Sequence, residues 1–139
     1  MEDRSYETIE LEIAILTRRV SSLSTVRKYG NLDRSAYLLL HQISAHGSAG
    51  IKALAEEFQL DISTVSRQAA ALEQKQYVYR VPDPLDGRAY SLHLTPLGEQ
   101  ELEVSRQARQ TRVRELLKDW TQEEREQFGA LLTKFNRTF

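Results

Sequence analysis

The chain has 139 residues, of which 40% are hydrophobic and 28% are charged, a length and balance that fit one folded domain and exclude a disordered chain. Nineteen Lys and Arg residues stand against twenty Asp and Glu, for a net charge of −1, which excludes a uniformly basic nucleic-acid-coating protein but not a local basic patch. The chain has no cysteine, so disulfides, thiolate nucleophiles and thiolate metal sites are excluded.

A long first helix is predicted over about residues 4–28. Apolar residues recur there at alternating spacings of three and four, which is typical of a helix that packs along one seam. Gly30 and Asn31 then interrupt the pattern. The spacing leaves open whether the seam packs within the chain or on a helix of a second subunit. The seam comprises Tyr6, Ile9, Ile13, Leu16, Val20 and Leu23.

Three shorter helices follow. Asp33 is a suitable N-cap for a helix over residues 34–45, and a glycine-containing stretch ends it. A third helix is predicted over residues 51–58 and a fourth over 62–75, which Asp61 would cap. Two short helices joined by a tight break form a helix-turn-helix candidate. The buried face of the fourth helix is expected to comprise Ile62, Val65, Ala69 and Leu72.

The hydrophobic period changes after the fourth helix. Residues 77–81 are rich in aromatic and β-branched side chains, which favour a strand. Residues 82–88, PDPLDGR, have the composition of a turn. Apolar and polar residues alternate over 89–94, so the three segments together predict a β-hairpin.

Two further helices are predicted at the C-terminal end. Thr95 suits the N-cap and Pro96 the first position of a helix that extends to about residue 119. Thr121 and Glu124 form a capping box for the last helix, and Trp120 between the two helices is expected to anchor a core. The predicted fold class is therefore mainly α with a small β-hairpin wing, a winged helix-turn-helix with long terminal helices.

A winged helix-turn-helix can place its second helix in the ~12 Å major groove of DNA. The predicted outer face of that helix carries hydroxyls, an amide and one guanidinium, and Arg67 can pair with guanine in a bidentate manner. A solvated helix face gives the same pattern. At the hairpin tip Arg88 can reach into a minor groove, with Asp86 suited to orient its guanidinium. The outer face comprises Ser63, Thr64, Arg67, Gln68 and Ala71.

One stretch of the chain, residues 61–98, resembles the core of the multiple antibiotic resistance regulator (MarR) family. The resemblance rests on the helix segment STVSR, the pair Leu72-Glu73, the wing DPLDGRA and the closing LTPLG, and the helix order matches over nearly the whole chain. It implies a homodimeric winged-helix transcription factor, usually a repressor, that binds a pseudo-palindromic DNA operator. The DNA contacts it implies are Ser63, Thr64, Ser66, Arg67 and Gln68 on the helix and Arg88 on the wing.

The resemblance also implies an organisation. Residues 1–139 form a single domain, in which 33–95 are the DNA-binding lobe and 4–28 and 96–139 are dimerisation helices. The apolar stripes of the terminal helices would be hard for a monomer to cover, which favours the same homodimer. The expected interface residues are Ile9, Ile13, Leu16, Phe128, Leu132, Phe135 and Phe139.

The chain departs from the family pattern at two glycine positions. Gln59 stands in the helix-turn-helix break and Gln76 at the end of the fourth helix, and each can adopt the left-handed conformation at a cost of about 1 kcal/mol. The absence of cysteine excludes the redox-sensing mechanism of one family branch. Residues 47–94 hold five bases and six acids, so we expect modest DNA affinity with a shallow salt dependence.

The family commonly binds small aromatic or phenolic acids as effectors, and candidate contacts here are Arg18, Tyr29, Tyr37 and His41. Tyr37 and His41 lie four apart on an apolar helix, where core packing is the alternative. For the function of the whole protein, the alternative to a DNA-binding regulator is a winged-helix protein–protein interaction module that does not bind DNA. The three histidines lack metal-ligand spacing, so we expect no enzyme, no metal and no cofactor. No apolar run approaches the ~20 residues of a membrane helix, and the acidic N-terminus is unlike a secretory signal, so we expect a cytoplasmic protein.

Overall fold

The computed structural model describes residues 2–24 and 29–139, with the side chains of 21–24 left undescribed. These residues form six helices and three strands. The elements are α1 (Ser5–Ser24), α2 (Arg34–His46), β1 (Ala49–Gly50), α3 (Ile51–Phe58), α4 (Ile62–Gln74), β2 (Val78–Pro82), β3 (Tyr90–Leu94), α5 (Pro96–Leu116) and α6 (Gln122–Asn136). The fold class predicted from the sequence is confirmed. Residues 25–28 and the side chain of Leu23, which the predicted first helix included, lie outside the described part.

The chain divides into two compact units, residues 1–105 and 106–139. The first unit contains a hydrophobic core to which α2, α3, α4 and β3 all contribute. Its most deeply buried side chains include Leu40, Ile43, Leu54, Val65 and Leu92. In the second unit, α6 contributes no buried residue, and Trp120 packs on Phe128 with ring centroids 5.2 Å apart while remaining 40% exposed. The expectation that Trp120 anchors a core is therefore wrong, since the helices around it bury too little.

The strands form one antiparallel sheet in the order β1-β3-β2. The predicted hairpin is confirmed, with Tyr79 opposite His93 and Arg80 opposite Leu92. The third strand was not predicted. β1 consists of Ala49 and Gly50 alone, paired with Leu92 and Ser91, and two residues are too few to show an alternating pattern.

Side chains cap the helices much as the sequence indicates. The Asp33 carboxylate accepts the Ala36 N–H at 2.9 Å and begins α2. At α6, the Thr121 hydroxyl accepts the Glu124 N–H at 3.1 Å while the Glu124 carboxylate accepts the Thr121 N–H, which completes the predicted capping box. Asp61 occupies the N-cap position of α4, but its carboxylate makes no capping hydrogen bond.

The two glutamines at positions where the resemblance leads us to expect glycine adopt positive φ angles, +53° at Gln59 and +65° at Gln76. After α4, the Gln76 N–H donates to the Glu73 carbonyl and the Tyr77 N–H to the Leu72 carbonyl, at 2.9 and 3.0 Å. These two hydrogen bonds define a Schellman motif, which needs a left-handed residue at its turn. Since a side chain is tolerated there at modest cost, the fold is kept without glycine.

The first turn of α5 is anchored to the corner that joins α4 to β2. The Thr95 N–H donates to the Tyr77 carbonyl at 3.0 Å, and the Thr95 hydroxyl donates to the Gln76 carbonyl at 2.6 Å. The same hydroxyl accepts the Gly98 N–H at 2.9 Å, so Thr95 caps α5 as predicted. A Cβ on Gly98 would lie 2.0 Å from the Tyr77 oxygen. The LTPLG segment therefore attaches the start of α5 to the corner between α4 and β2. Thr95 makes the hydrogen bonds, and the absence of a side chain at Gly98 lets the two backbones approach closely.

Candidate nucleic-acid interface

α4 turns one face into the core and the opposite face outward. Val65, Ala69 and Leu72 are buried, as predicted. Ile62 is 56% exposed, which contradicts the prediction that it belongs to the buried face. It is the first residue of α4, a full turn before Val65, and so it lies beyond the edge of the core.

The outward face of α4 carries the predicted polar residues. Ser63 and Arg67 are exposed, and Thr64, Ser66 and Gln68 are half-buried. Arg67 Nη2 donates to Thr64 Oγ1 at 3.5 Å, a long contact that leaves most of its donors facing solvent. No acidic residue occurs between Ile62 and Leu72. The face thus offers hydroxyls, an amide and a guanidinium without an opposing negative charge.

The N-terminus of α4 adds backbone donors to this face. The Asp61 side chain makes no capping hydrogen bond, and the first N–H groups of a helix have no partner within the helix. The positive end of the helix dipole lies at the same place. Backbone and side-chain donors can therefore act together on a negatively charged group in front of α4.

The wing loop between β2 and β3 is held by its own acidic residues. The Asp83 N–H donates to the Ala89 carbonyl at 3.0 Å, and the Asp83 carboxylate accepts the Leu85 N–H at 2.8 Å. The Asp86 carboxylate accepts the Arg88 backbone N–H at 3.0 Å. Asp86 therefore orders the main chain at Arg88, not its guanidinium as expected, because an aspartate two residues earlier closes a local turn. The Arg88 side chain is exposed.

A cluster linking α4 to the wing was not found from the sequence. Arg80 Nε pairs with Glu73 Oε2 at 2.5 Å, and the Arg80 guanidinium carbon lies 4.2 Å from the centroid of the Tyr90 ring. Glu73 belongs to α4, Arg80 to β2 and Tyr90 to β3. The opposite charges of Glu73 and Arg80 are visible in the sequence, but their meeting depends on the turn geometry at Gln76.

The four effector candidates belong to the first unit. Tyr37 and His41 stack with ring centroids 6.1 Å apart. Tyr37 is half-buried against the core, whereas His41 is exposed on the same helix. Tyr29 pairs through its backbone with Leu32, and Arg18 is exposed on α1.

The expected interface residues are all exposed in the single chain, by between 39% and 76%. On α1 the candidates are Ile9, Ile13 and Leu16. On α6 the candidates Phe128, Leu132 and Phe135 share one face at spacings of four and three, with Phe139 beyond the helix end. Two large apolar stripes therefore lie uncovered, one in each unit.

Neither a metal-binding cluster nor a membrane-spanning helix occurs among the described residues. No group of three or more His, Cys, Asp or Glu side chains is arranged to hold a metal ion in the part of the chain that the structure covers. Across residues 2–24 and 29–139, no helix is both long and apolar enough to cross a membrane.

The two-helix unit of α3 and α4, followed by the β2–β3 hairpin, defines a winged helix-turn-helix protein. Residues 32–90 match the sequence pattern of the MarR family. The chain is 48% identical to the uncharacterized HTH-type transcriptional regulator YxaD of Bacillus subtilis (strain 168), over 96% of this chain and 94% of that one. The chain belongs to the MarR family of transcriptional regulators.

Solved structures support the fold assignment. The transcriptional regulator BldR from Sulfolobus solfataricus matches with a TM-score of 0.77 at 23% identity, over 99% of both chains. A mutant of MarR from E. coli complexed with operator DNA matches with a TM-score of 0.73 at 24% identity, over 96% of this chain and 99% of that one. At these identities the likeness concerns the fold.

Proposed function

We propose that this chain is a homodimeric repressor that reads a pseudo-palindromic DNA operator. Residues 33–95 would form the DNA-binding lobe, and 4–28 and 96–139 the dimerisation helices. The observation that carries the proposal is the acid-free outer face of α4, centred on Arg67, followed in the chain by a wing with an exposed Arg88. The DNA-bound relative of the same fold supports it.

The chemistry of each element indicates which groove of DNA it would contact. In the major groove Arg67 can donate two hydrogen bonds to a guanine, while Ser63, Thr64, Ser66 and Gln68 contact base edges or phosphates. Arg88 would enter the minor groove, where the negative potential is strongest over narrow A·T tracts. Two such lobes related by a two-fold axis would contact half-sites about 34–36 Å apart.

The dimer would cover the exposed stripes of α1 and α6. Removing large apolar side chains from water is the main favourable term in most protein associations, and such stripes are uncommon on monomers. We expect a mass near twice the 16.0 kDa of the chain in light scattering at micromolar concentration. Phe135→Ser should shift the protein toward monomer. The matched change Ala130→Ser, at an exposed position on the opposite side of α6, should not, and a monomeric wild type would contradict the dimer.

We propose further that a small aromatic acid releases the repressor from DNA. The stacked Tyr37 and His41 rings offer an aromatic surface, and Arg18 or a neighbouring base would pair with the carboxylate. A panel of benzoic acids and phenols should raise the thermal midpoint and release bound DNA, and Tyr37→Leu should weaken both effects. If no compound does either, the ligand-gated part of the proposal is wrong.

DNA binding is tested by fluorescence anisotropy with the intergenic DNA upstream of the protein's own gene, against excess competitor DNA. Arg67→Ala and Arg88→Ala should each cost about 1–3 kcal/mol of binding free energy with folding unchanged. Arg114→Ala, at an exposed position near the end of α5, is the matched control and should bind as wild type. If neither this DNA nor any fragment selected from the genome is bound, the interaction-module alternative becomes the better one.

A further inference from the structure

The corner between α4 and the wing contains a side-chain bridge that belongs neither to the core nor to the outer face of α4. Glu73 near the end of α4 pairs with Arg80 on β2, and Arg80 lies over the ring of Tyr90 on β3. A charged pair and a cation–π contact on one guanidinium hold it in a single orientation. The bridge thus connects α4, the proposed DNA-reading helix, to both strands of the wing.

The bridge adds little to the stability of the lobe. The Arg80 and Glu73 side chains are 42% and 39% exposed, and exposed ion pairs contribute weakly to folding. The core beneath is complete without them, because Leu72, Tyr77 and Val78 are buried there. The backbone connection is a short turn at Gln76, and the wing loop extends beyond the core. The bridge is therefore placed to control orientation.

We propose that the Glu73–Arg80–Tyr90 bridge is a positioning device that fixes the angle of the wing to α4, so that Arg67 and Arg88 engage one DNA half-site together. This inference rests on the proposed function. Glu73 and Arg80 are positioning residues, since neither needs to touch DNA. Loss of the bridge lets the wing sample other angles. Ordering the wing on DNA then costs conformational entropy, which weakens binding.

A direct phosphate contact by Arg80 is the rival explanation, and Glu73→Gln separates the two. If Arg80 bound phosphate, removing the Glu73 carboxylate would free the guanidinium and reduce repulsion of DNA, so affinity would rise. If the bridge positions the wing, the same change weakens binding although it removes a negative charge. The matched control Glu57→Gln removes an exposed carboxylate from α3 and should leave affinity equal to or above that of wild type.

The experiment is an anisotropy titration of the full chain with the duplex that wild type binds best. Glu73→Gln and Arg80→Gln should each weaken binding about fivefold, the factor that corresponds to about 1 kcal/mol. Tyr90→Phe keeps the ring and should bind as wild type, whereas Tyr90→Leu should resemble Arg80→Gln. Urea unfolding of each variant should show a folded protein with a midpoint near that of wild type.

Combination with Arg88→Ala completes the test. Once the Arg88 contact is removed, the orientation of the wing no longer affects binding. In that background Arg80→Gln should therefore lower DNA affinity by less than about twofold. An equal penalty with and without Arg88, or wild-type affinity of Glu73→Gln, overturns the positioning role while the proposed DNA binding stands. If wild type itself binds no duplex, the proposed function and this inference both fail.

Discussion

Replacing Gly98 by alanine should destabilise the first unit strongly. The added Cβ would lie 2.0 Å from the carbonyl oxygen and 2.9 Å from the carbonyl carbon of Tyr77. Ordinary contact begins near 3.4 Å, so the first turn of α5 would have to move by roughly 1.4 Å, or the Tyr77 peptide would have to yield. Both groups are held, because Tyr77 is buried and its N–H and carbonyl are hydrogen-bonded.

The size of the effect follows from what that movement breaks. Overpacking costs about 1–3 kcal/mol, and weakening the hydrogen bonds that Thr95 makes to Tyr77 and Gln76 adds about 1 kcal/mol each. Alanine regains about 1 kcal/mol of helix propensity. We therefore expect Gly98→Ala to lower the free energy of unfolding by about 2–4 kcal/mol.

Urea unfolding followed by circular dichroism, at one fixed protein concentration, measures this change. Gly129→Ala is the matched control, because it also adds a methyl within a helix but meets nothing within 4 Å in the chain. It should raise stability by about 0.5–1 kcal/mol through propensity alone. A Gly98→Ala variant as stable as wild type would refute the close-approach explanation of the LTPLG segment.

Other predictions concern the turns, the caps and the charges. Gln59→Gly and Gln76→Gly should each stabilise the chain by about 0.5 kcal/mol in urea unfolding, because relief of the positive φ outweighs the added freedom of the unfolded chain. Thr121→Ala should cost about 1 kcal/mol of stability, with less helical signal, through loss of the capping box. Burial, and secondarily the charge of Glu101, raise the pKa of Tyr77. The folded chain therefore holds the Tyr77 proton more tightly than the unfolded chain does. The ionisation of Tyr77 has no effect on the free energy of unfolding below about pH 10 and lowers it as the pH rises further. Tyr77→Phe should remove this fall in pH-dependent unfolding. The logarithm of DNA affinity should fall with the logarithm of salt concentration less steeply than about −8 for the dimer, and a steeper slope would contradict the few-contact interface.

Local signals in the sequence were sufficient where the structure depends on neighbours along the chain. α3 spans the predicted residues, and the capping box at Thr121 and the cap at Asp33 form as expected. The left-handed turns at Gln59 and Gln76 were expected from the family resemblance and not from a local signal, since a glutamine does not itself mark such a turn. The Schellman motif after α4 needs that conformation whatever the side chain.

Features that depend on tertiary geometry escaped prediction. Periodicity assigned Ile62 to the buried face, but it cannot tell that the core ends one turn later. The pairing of Glu73 with Arg80 requires a chain reversal whose angle no spacing specifies. Asp86 was expected to contact the Arg88 guanidinium, whereas a short local bond to the backbone competes more effectively.

Selection of bound fragments from random-sequence duplexes, followed by hydroxyl-radical footprinting, shows whether α4 and the wing read DNA. We predict one enriched motif with two-fold symmetry and two protected half-sites about 34–36 Å apart. Protection flanking the motif in the minor groove should disappear in Arg88→Ala. Failure to enrich any motif, or footprints that Arg67→Ala and Arg88→Ala leave unchanged, would contradict sequence-specific DNA binding by α4 and the wing.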